Sequence, residues 1–154
     1  AEAGMLYRFY DLAPVPGDRA IRNLVSNIAL AYEATSRIQL KVRVNRDMNE
    51  TTFSSNRYYT STGARLEAGY SYRRLALNTH ASFQVDRYPE AVTISALTAA
   101  RRDDLYGSGL NLGYKMRPWL STGLSYTHME RHSVFLDQFN YKDDRTAFSL
   151  RLIF

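Results

Sequence analysis

In the last seven residues of the chain, apolar side chains recur at every second position: Phe148, Leu150, Leu152 and Phe154. The polar residues Ser149 and Arg151 stand between the first three of them. Successive side chains of a β-strand point to opposite faces of its sheet, so this period of two predicts a strand with one apolar and one polar face. A chain built from many such strands folds into a sheet whose two sides differ in polarity.

The same period of two recurs along most of the chain. The clearest case is residues 38–45, in which isoleucine, leucine and valine alternate with glutamine, lysine, arginine and asparagine. Similar segments lie at 5–10, 24–33, 57–73, 75–86, 105–116, 120–129 and 147–154. The sequence shows no convincing helical period. It therefore predicts an all-β fold of about eight strands in a single domain over residues 1–154.

The connections between these segments alternate in length. Short ones are predicted near 35–37, 73–74 and 117–118, and long ones over 11–21, 46–56, 88–102 and 131–142. Short turns at one end of the strands and long loops at the other are typical of outer-membrane barrels. The pattern predicts an antiparallel up-and-down transmembrane β-barrel in a bacterial outer membrane. With an even number of strands, both termini are expected on the periplasmic side.

The composition agrees with a barrel and excludes a helical membrane protein. None of the 154 residues falls in an apolar run near the ~20 residues that a membrane helix needs. The 12 tyrosines, 7 phenylalanines and 1 tryptophan suit membrane–water interfaces. One aromatic belt is predicted at the short-turn end, from Tyr7, Tyr32, Tyr70, Tyr72, Tyr114, Trp119 and Phe154. A second belt is predicted toward the long loops, from Tyr58, Phe83, Tyr106 and Tyr126. A soluble barrel or sandwich has no reason to order its aromatic residues by height.

The opposite, inward-facing side chains are predicted to be polar and of mixed charge: Arg8, Glu33, Lys41, Arg43, Arg65, Glu67, Arg73, Asp86, Lys115 and Arg151. Eight closed strands would leave an interior that these side chains fill, whereas a wider wall would let them line water. The inward glycines at 63, 69, 107, 109, 113 and 123 fit either arrangement. The net charge of +5 fits a pore that favours anions, and also arginines that meet lipopolysaccharide phosphates.

Closure of the barrel is a separate question. A barrel that closes alone requires the first strand, around Met5–Phe9, to pair with the last, Ala147–Phe154. The alternative is that these strands form part of a wider barrel. In either case the terminal pattern Phe148, Leu150, Leu152 and Phe154 resembles the signal that the barrel-assembly machinery reads, with Ser149 at the place where glycine is usual.

The second half of the chain carries several short motifs: Arg102-Asp103-Asp104, Leu112-Gly113-Tyr114, Trp119-Leu120, Gly123-Leu124, Tyr126-Thr127, Arg131-His132-Ser133, Tyr141 and Asp144. With them the chain resembles the C-terminal part of the putative beta-barrel porins encoded with exopolysaccharide and capsule biosynthesis operons. The resemblance implies passage of polysaccharide or polar solutes, or support of polysaccharide export, through the outer membrane. Members of that family are longer and have more strands. Outer-membrane lipid, lipopolysaccharide, the assembly machinery and export proteins are the partners expected.

The sequence gives little support for an enzyme. His128 and Glu130 share a face near Ser133, which is a weak match to a lipid A deacylase-type site. Asp103-Asp104 and Asp143-Asp144 lack a cation-binding spacing, and solvated strand ends or pairs with Arg101, Arg102 and Arg145 are expected instead. We therefore predict no catalytic residues, cofactor, metal or nucleic-acid partner. The alternative to a porin is a small closed barrel that binds lipopolysaccharide or a protein through its loops.

Overall fold

The computed structural model is one antiparallel sheet of eight strands in sequential order, and it describes residues 2–9, 20–51, 56–94, 97–134 and 137–153. Side chains are described within these ranges except at 2–9, 20–22, 94 and 97. The strands are β1 (Glu2–Phe9), β2 (Ala20–Thr35), β3 (Ile38–Glu50), β4 (Tyr58–Tyr72), β5 (Leu75–Ile94), β6 (Leu97–Arg117), β7 (Leu120–Ser133) and β8 (Tyr141–Leu152). A short 3-10 helix, η1 (Asp137–Phe139), precedes β8. No helix in the described ranges is long and apolar enough to cross a membrane.

Each of the three predicted short connections is a tight turn between neighbouring strands, at 36–37, 73–74 and 118–119. Arg73 has a φ of 52°, a left-handed value that the type I′ and II′ hairpin turns use and that non-glycine residues rarely adopt. We refer to the end of the sheet that carries these turns as the short-turn end and to the opposite end as the long-loop end.

The predicted long connections are shorter than expected, because the strands continue into them. The expectation of a loop over 88–102 is wrong, since β5 runs to Ile94 and β6 starts at Leu97. Pro89 lies where the pairing register shifts, between Arg87 and Ala91. Proline has no N–H for the ladder, so it is tolerated at such an irregularity without ending the strand. Of the expected loop over 11–21, residues 11–19 lie outside the described residues.

The pairing register sorts the side chains into two faces, as the period of two predicts. One row across six strands is apolar throughout: Ile38, Tyr70, Leu77, Leu112, Leu124 and Phe148. The next row is polar or small: Gln39, Gly69, Asn78, Asn111, Ser125 and Ala147. We call these the apolar face and the polar face. Large side chains of the apolar face are open to the surroundings, with Leu30 67% exposed and Phe148 72% exposed.

Most aromatic residues of the apolar face lie toward its two edges. Tyr126, predicted for the long-loop belt, instead pairs with Leu110 near the middle of the face. At the short-turn end, Tyr32, Tyr70, Tyr72 and Tyr114 are on its strands, and Trp119 is in the turn between β6 and β7. The side chain of Tyr7 and all of Phe154 lie outside the description. Toward the long loops, the rings of Phe83 and Tyr106 are 5.1 Å apart. At ~3.4 Å per residue and a tilt of ~40°, Tyr106 and Tyr114 differ in height by about 21 Å, close to the ~25 Å apolar band of a membrane barrel.

The sheet is open. In the described part of the chain, β1 pairs with β2 alone and β8 pairs with β7 alone, so the pairing of Met5–Phe9 with Ala147–Phe154 that self-closure requires is absent. A strand edge carries unpaired N–H and C=O groups, which are costly in lipid. Membrane insertion of this sheet therefore requires a hydrogen-bonding partner for each edge strand.

Candidate functional site

The polar face gathers the charged side chains that the sequence analysis predicted to face inward. By register, the described ones share this face: Glu33, Lys41, Arg43, Arg65, Glu67, Asp86, Lys115 and Arg151. The side chain of Arg8 is not among the described ones, and Arg73 lies in the turn between β4 and β5. The polar face is the surface on which this chain can meet a polar solute.

The middle of the polar face carries more cations than anions. Lys41 pairs in register with Glu67, and Arg43 pairs with Arg65. The Arg65 side chain forms an ion pair with Glu67 on its own strand, and its Nε lies 2.7 Å from the Glu67 Oε1. Two like charges directly opposite each other are unfavourable, and the Arg65–Glu67 bond reduces that repulsion. What remains is a wall with positive charge at its centre.

Near the long-loop end, the polar face closes into a packed arrangement that we call the loop-side cluster: Tyr88, Arg101, Asp103, Arg131 and Phe139. Asp103 is completely buried. Arg101 donates hydrogen bonds to this carboxylate. Its Nε lies 3.0 Å from both carboxylate oxygens, and its Nη2 lies 2.6 Å from Oδ2. Arg131 adds a second positive charge, with its Nε 4.0 Å from Oδ2. The two guanidinium groups compensate the charge of this buried carboxylate, and the hydrogen bonds fix its position.

Aromatic rings cover Arg101 in the same cluster. Its guanidinium carbon lies 3.8 Å from the centre of the Phe139 ring and 4.8 Å from that of Tyr88. Tyr88 in turn stacks on Tyr59 at 5.1 Å. Guanidinium groups are attracted to aromatic faces, and Phe139 belongs to η1 in the connection before β8. The cluster therefore attaches the β7–β8 connection to the sheet wall.

A hydrogen-bonded network continues from the cluster onto β3 and β4. Ser61 Oγ donates to Asp86 Oδ1 at 2.6 Å, and Gln84 Nε2 donates to the same oxygen at 2.8 Å. Asn49 Nδ2 donates to Ser61 Oγ at 3.2 Å. Ser61 and Asp86 are both buried. This network fixes the orientation of the predicted inward residue Asp86.

At several of the predicted inward glycines, a side chain of a neighbouring strand lies against the backbone. Gly109 is opposite His80 in register. A Cβ added at Gly109 would overlap with the His80 ring at Cε1, so the ring occupies the space that a side chain would need. At Gly107 and Gly123 the added Cβ would lie 2.6 Å from Ser82 Oγ and 2.7 Å from Ser149 Oγ. The glycines can be identified from the sequence, but the side chains that lie against them are known only from the register of the paired strands.

Substituting Gly109 by alanine should destabilise the sheet by about 1–3 kcal/mol, because the His80 ring must leave its place. Gly113→Ala is the matched control on the same strand. Its added Cβ would be 3.8 Å from the nearest atom, the carbonyl oxygen of Ala76, and should be accepted without cost. Urea unfolding in lipid vesicles measures both. Adding His80→Ala to Gly109→Ala should restore stability, and a lack of rescue would contradict the steric explanation.

The residues considered for catalysis do not form a nucleophile–base pair. His128 Nδ1 lies 2.7 Å from Asp144 Oδ1, and its Nε2 lies 3.8 Å from Glu130. Both carboxylates belong to the apolar face, whereas Ser133 is in register with Asp103 on the polar face. Since adjacent faces point apart, Ser133 is on the wrong side of the sheet to be activated by His128. The deacylase-type arrangement is therefore not assembled.

The expected aspartate–arginine pairs are confirmed. Arg101 binds Asp103, Arg102 Nε lies 2.9 Å from Asp104, and Arg145 Nη2 lies 2.7 Å from Asp143. Within the described ranges, no group of three or more His, Cys, Asp or Glu could hold a metal ion. These acidic residues serve as partners of neighbouring arginines.

Comparison with known proteins gives one finding. The profile of a family described as Putative beta-barrel porin 2 matches residues 16–154. No curated protein and no solved structure matches the chain.

Proposed function

The chain belongs to the Putative beta-barrel porin 2 family, and we propose that its sheet is part of an outer-membrane barrel wall that passes polysaccharide or other polar solutes. The family is a porin family and not an enzyme family. The observation that carries the proposal is the separation of the two faces from the short-turn end to the middle of the sheet. An apolar face of this extent is stable in contact with lipid, and the polar face then lines the lumen.

The predicted inward residues take a role in this arrangement. In our proposal the described ones, Glu33, Lys41, Arg43, Arg65, Glu67, Asp86, Lys115 and Arg151, line the lumen. The aromatic residues at the two ends of the apolar face lie at the membrane–water interfaces, where an amphipathic ring is stable. Strand direction alternates from β1 to β8, so β1 begins and β8 ends toward the short-turn end. That end is periplasmic in our proposal.

The edge strands define the partners that the sheet needs in the membrane. Phe148, Leu150 and Leu152 lie on the apolar face of the edge strand β8, and each is about half exposed or more. We propose that this strand, with Phe154, is the segment that the barrel-assembly machinery recognises. Pairing of β1 and β8 with further strands would complete the wall. Lipopolysaccharide is the expected neighbour of the apolar face at its long-loop end.

A second candidate function is supported by the loop-side cluster. A packed, buried group of charged and aromatic residues gives the long-loop end a fixed shape, and a fixed surface favours recognition over passage. In this alternative the completed barrel has no conducting lumen and acts by binding lipopolysaccharide or a protein outside the cell.

Single-channel recording in planar bilayers separates the two functions. We expect steady conductance steps after insertion of the folded protein, because the polar face lines water. The same protein added in urea, before folding, is the control and should give no steps. Folded and inserted protein that never conducts would contradict the porin function and favour the closed, recognition-type barrel.

A further inference from the structure

A groove of about 520 Å³ lies on the polar face at the short-turn end of β4 to β8. Four cationic residues line it: Arg73, Arg74, Lys115 and Arg151. None of the described residues that line it is an aspartate or a glutamate. We call it the basic groove.

The positions of its cations follow from the strand register. Lys115 pairs with Ser121, and Ser121 pairs with Arg151, so the two cations lie on the same face of β6 and β8 with β7 between them. At ~4.8 Å between strands their Cα atoms are about 10 Å apart. Arg74 is held at the turn, where its Nη1 donates to the carbonyl of Met116 at 3.1 Å. The cations therefore surround the groove from both the strands and the turn.

These four cations differ from Arg65 and Arg101 of the same face. Arg65 and Arg101 are each bound to a carboxylate, at 2.7 and 2.6 Å. Among the described residues, no carboxylate forms an ion pair with any of the four cations of the basic groove. Clustered like charges repel one another, and a bound anion would relieve that repulsion. Rings of arginine and lysine serve this purpose in anion-selective pores.

The rest of the lining indicates which kind of anion fits. Neutral hydrogen-bonding side chains lie between the cations: Asn78, Asn111, Ser121, Ser125 and Ser149. Hydroxyl and amide groups of this kind can donate to and accept from the hydroxyl groups of a solute. Gly113 leaves room for it close to the backbone, because an added Cβ there would be 3.8 Å from the nearest atom. A hydroxyl-rich ligand that also carries negative charge matches both sets of groups.

We propose that the basic groove binds an acidic glycan, with its carboxylates at Lys115 and Arg151 and its hydroxyl groups at the asparagines and serines. This rests on the proposed function in one respect, which is that the polar face lines the lumen and the groove is its periplasmic entrance. The groove would then select acidic chains before they reach the positive middle of the wall.

Calorimetric titration of the folded protein in detergent micelles tests the site directly. The probes are hexagalacturonate and its fully methyl-esterified form, which has the same sugar units without the charge. We expect the acid to bind at least roughly tenfold more tightly than the ester, and its affinity to fall as salt is added. Equal binding of the two forms, or binding of neither, would overturn the proposal.

The variant Lys115→Gln with Arg151→Gln should weaken binding of the acid by roughly tenfold and leave binding of the ester unchanged. The matched control, Arg87→Gln with Lys142→Gln, removes two charges toward the long-loop end, from residues that do not line the groove. It should leave binding of the acid within about twofold, because the charges that it removes are distant and screened. Equal loss in the two variants would show attraction to the net charge alone and would overturn the site.

Competition with acetate tests whether the ligand must be a glycan. Displacement of the acid by acetate at the same carboxylate concentration would show that the groove binds small anions in general, and would overturn the proposal of a glycan ligand.

Conductance measured on the same preparation separates the proposed porin function from the proposed binding site in the basic groove. Steady conductance without preference for the acid would remove the basic groove as a site and leave the porin function intact. Selective binding of the acid by a protein that does not conduct would support the site and contradict the porin function.

Discussion

Replacing Asp103 by alanine should lower the free energy of unfolding by about 3–5 kcal/mol. The side chain is completely buried, and three hydrogen-bond contacts join it to Arg101. Its removal leaves the buried Arg101 guanidinium without its carboxylate, and a buried charge without compensation is strongly destabilising. Urea unfolding of the protein in lipid vesicles, followed by tryptophan fluorescence, measures the change.

Asp104→Ala is the matched control, because the neighbouring pair has the same spacing on the opposite face. Arg102 Nε lies 2.9 Å from Asp104, but the Arg102 side chain is 47% exposed. Exposed ion pairs contribute about 0–1 kcal/mol, so this variant should differ little from the original protein. Similar losses in the two variants would mean that the loop-side cluster is not a buried unit.

Replacing Leu110 by arginine should cost about 2–4 kcal/mol of membrane stability. Leu110 lies on the apolar face of β6, midway between Tyr106 and Tyr114, which places it near the centre of the apolar band. A charge at the lipid-facing midplane loses its hydration without gaining a partner. Unfolding in vesicles of defined lipid gives the difference in free energy.

Asn111→Arg tests the adjacent position on the polar face of the same strand. Because that side chain faces the groove side, an added arginine stays hydrated and should cost much less than the charge at Leu110. Equal costs at the two positions would contradict the assignment of apolar and polar faces. A larger cost at Asn111 than at Leu110 would mean that the polar face, and not the apolar face, meets lipid.

The two faces were predictable from the sequence because both have a local cause. A period of two fixes which side chains share a face before any partner strand is known, as residues 38–45 show. The arginine–aspartate pairs were predictable from another local cause, since Arg101 and Asp103 are only two residues apart in the sequence. The short turns were predictable from the points at which the alternation stops.

The long-loop end could not be predicted in the same way. There β5 and β6 run past Pro89, and buried residues occur on both faces of one strand, such as Val85 and Asp86. Covered on both sides, the strand no longer needs to alternate. The packing of His80 over Gly109, and the open edges at β1 and β8, depend on pairing between distant segments. Alternation within one strand carries no information about such pairing.

Cysteine labelling tests the central claim, that the polar face lines water and the apolar face meets lipid. The chain contains no cysteine, so single thiols can be placed at Ala81 and Ser82 on β5 and at Leu124 and Ser125 on β7. In vesicles, a charged, water-soluble maleimide should label the thiols at 82 and 125 and leave those at 81 and 124 unlabelled until the protein is unfolded. Labelling at 81 and 124, or protection at 82 and 125, would contradict a barrel wall around a water-filled lumen.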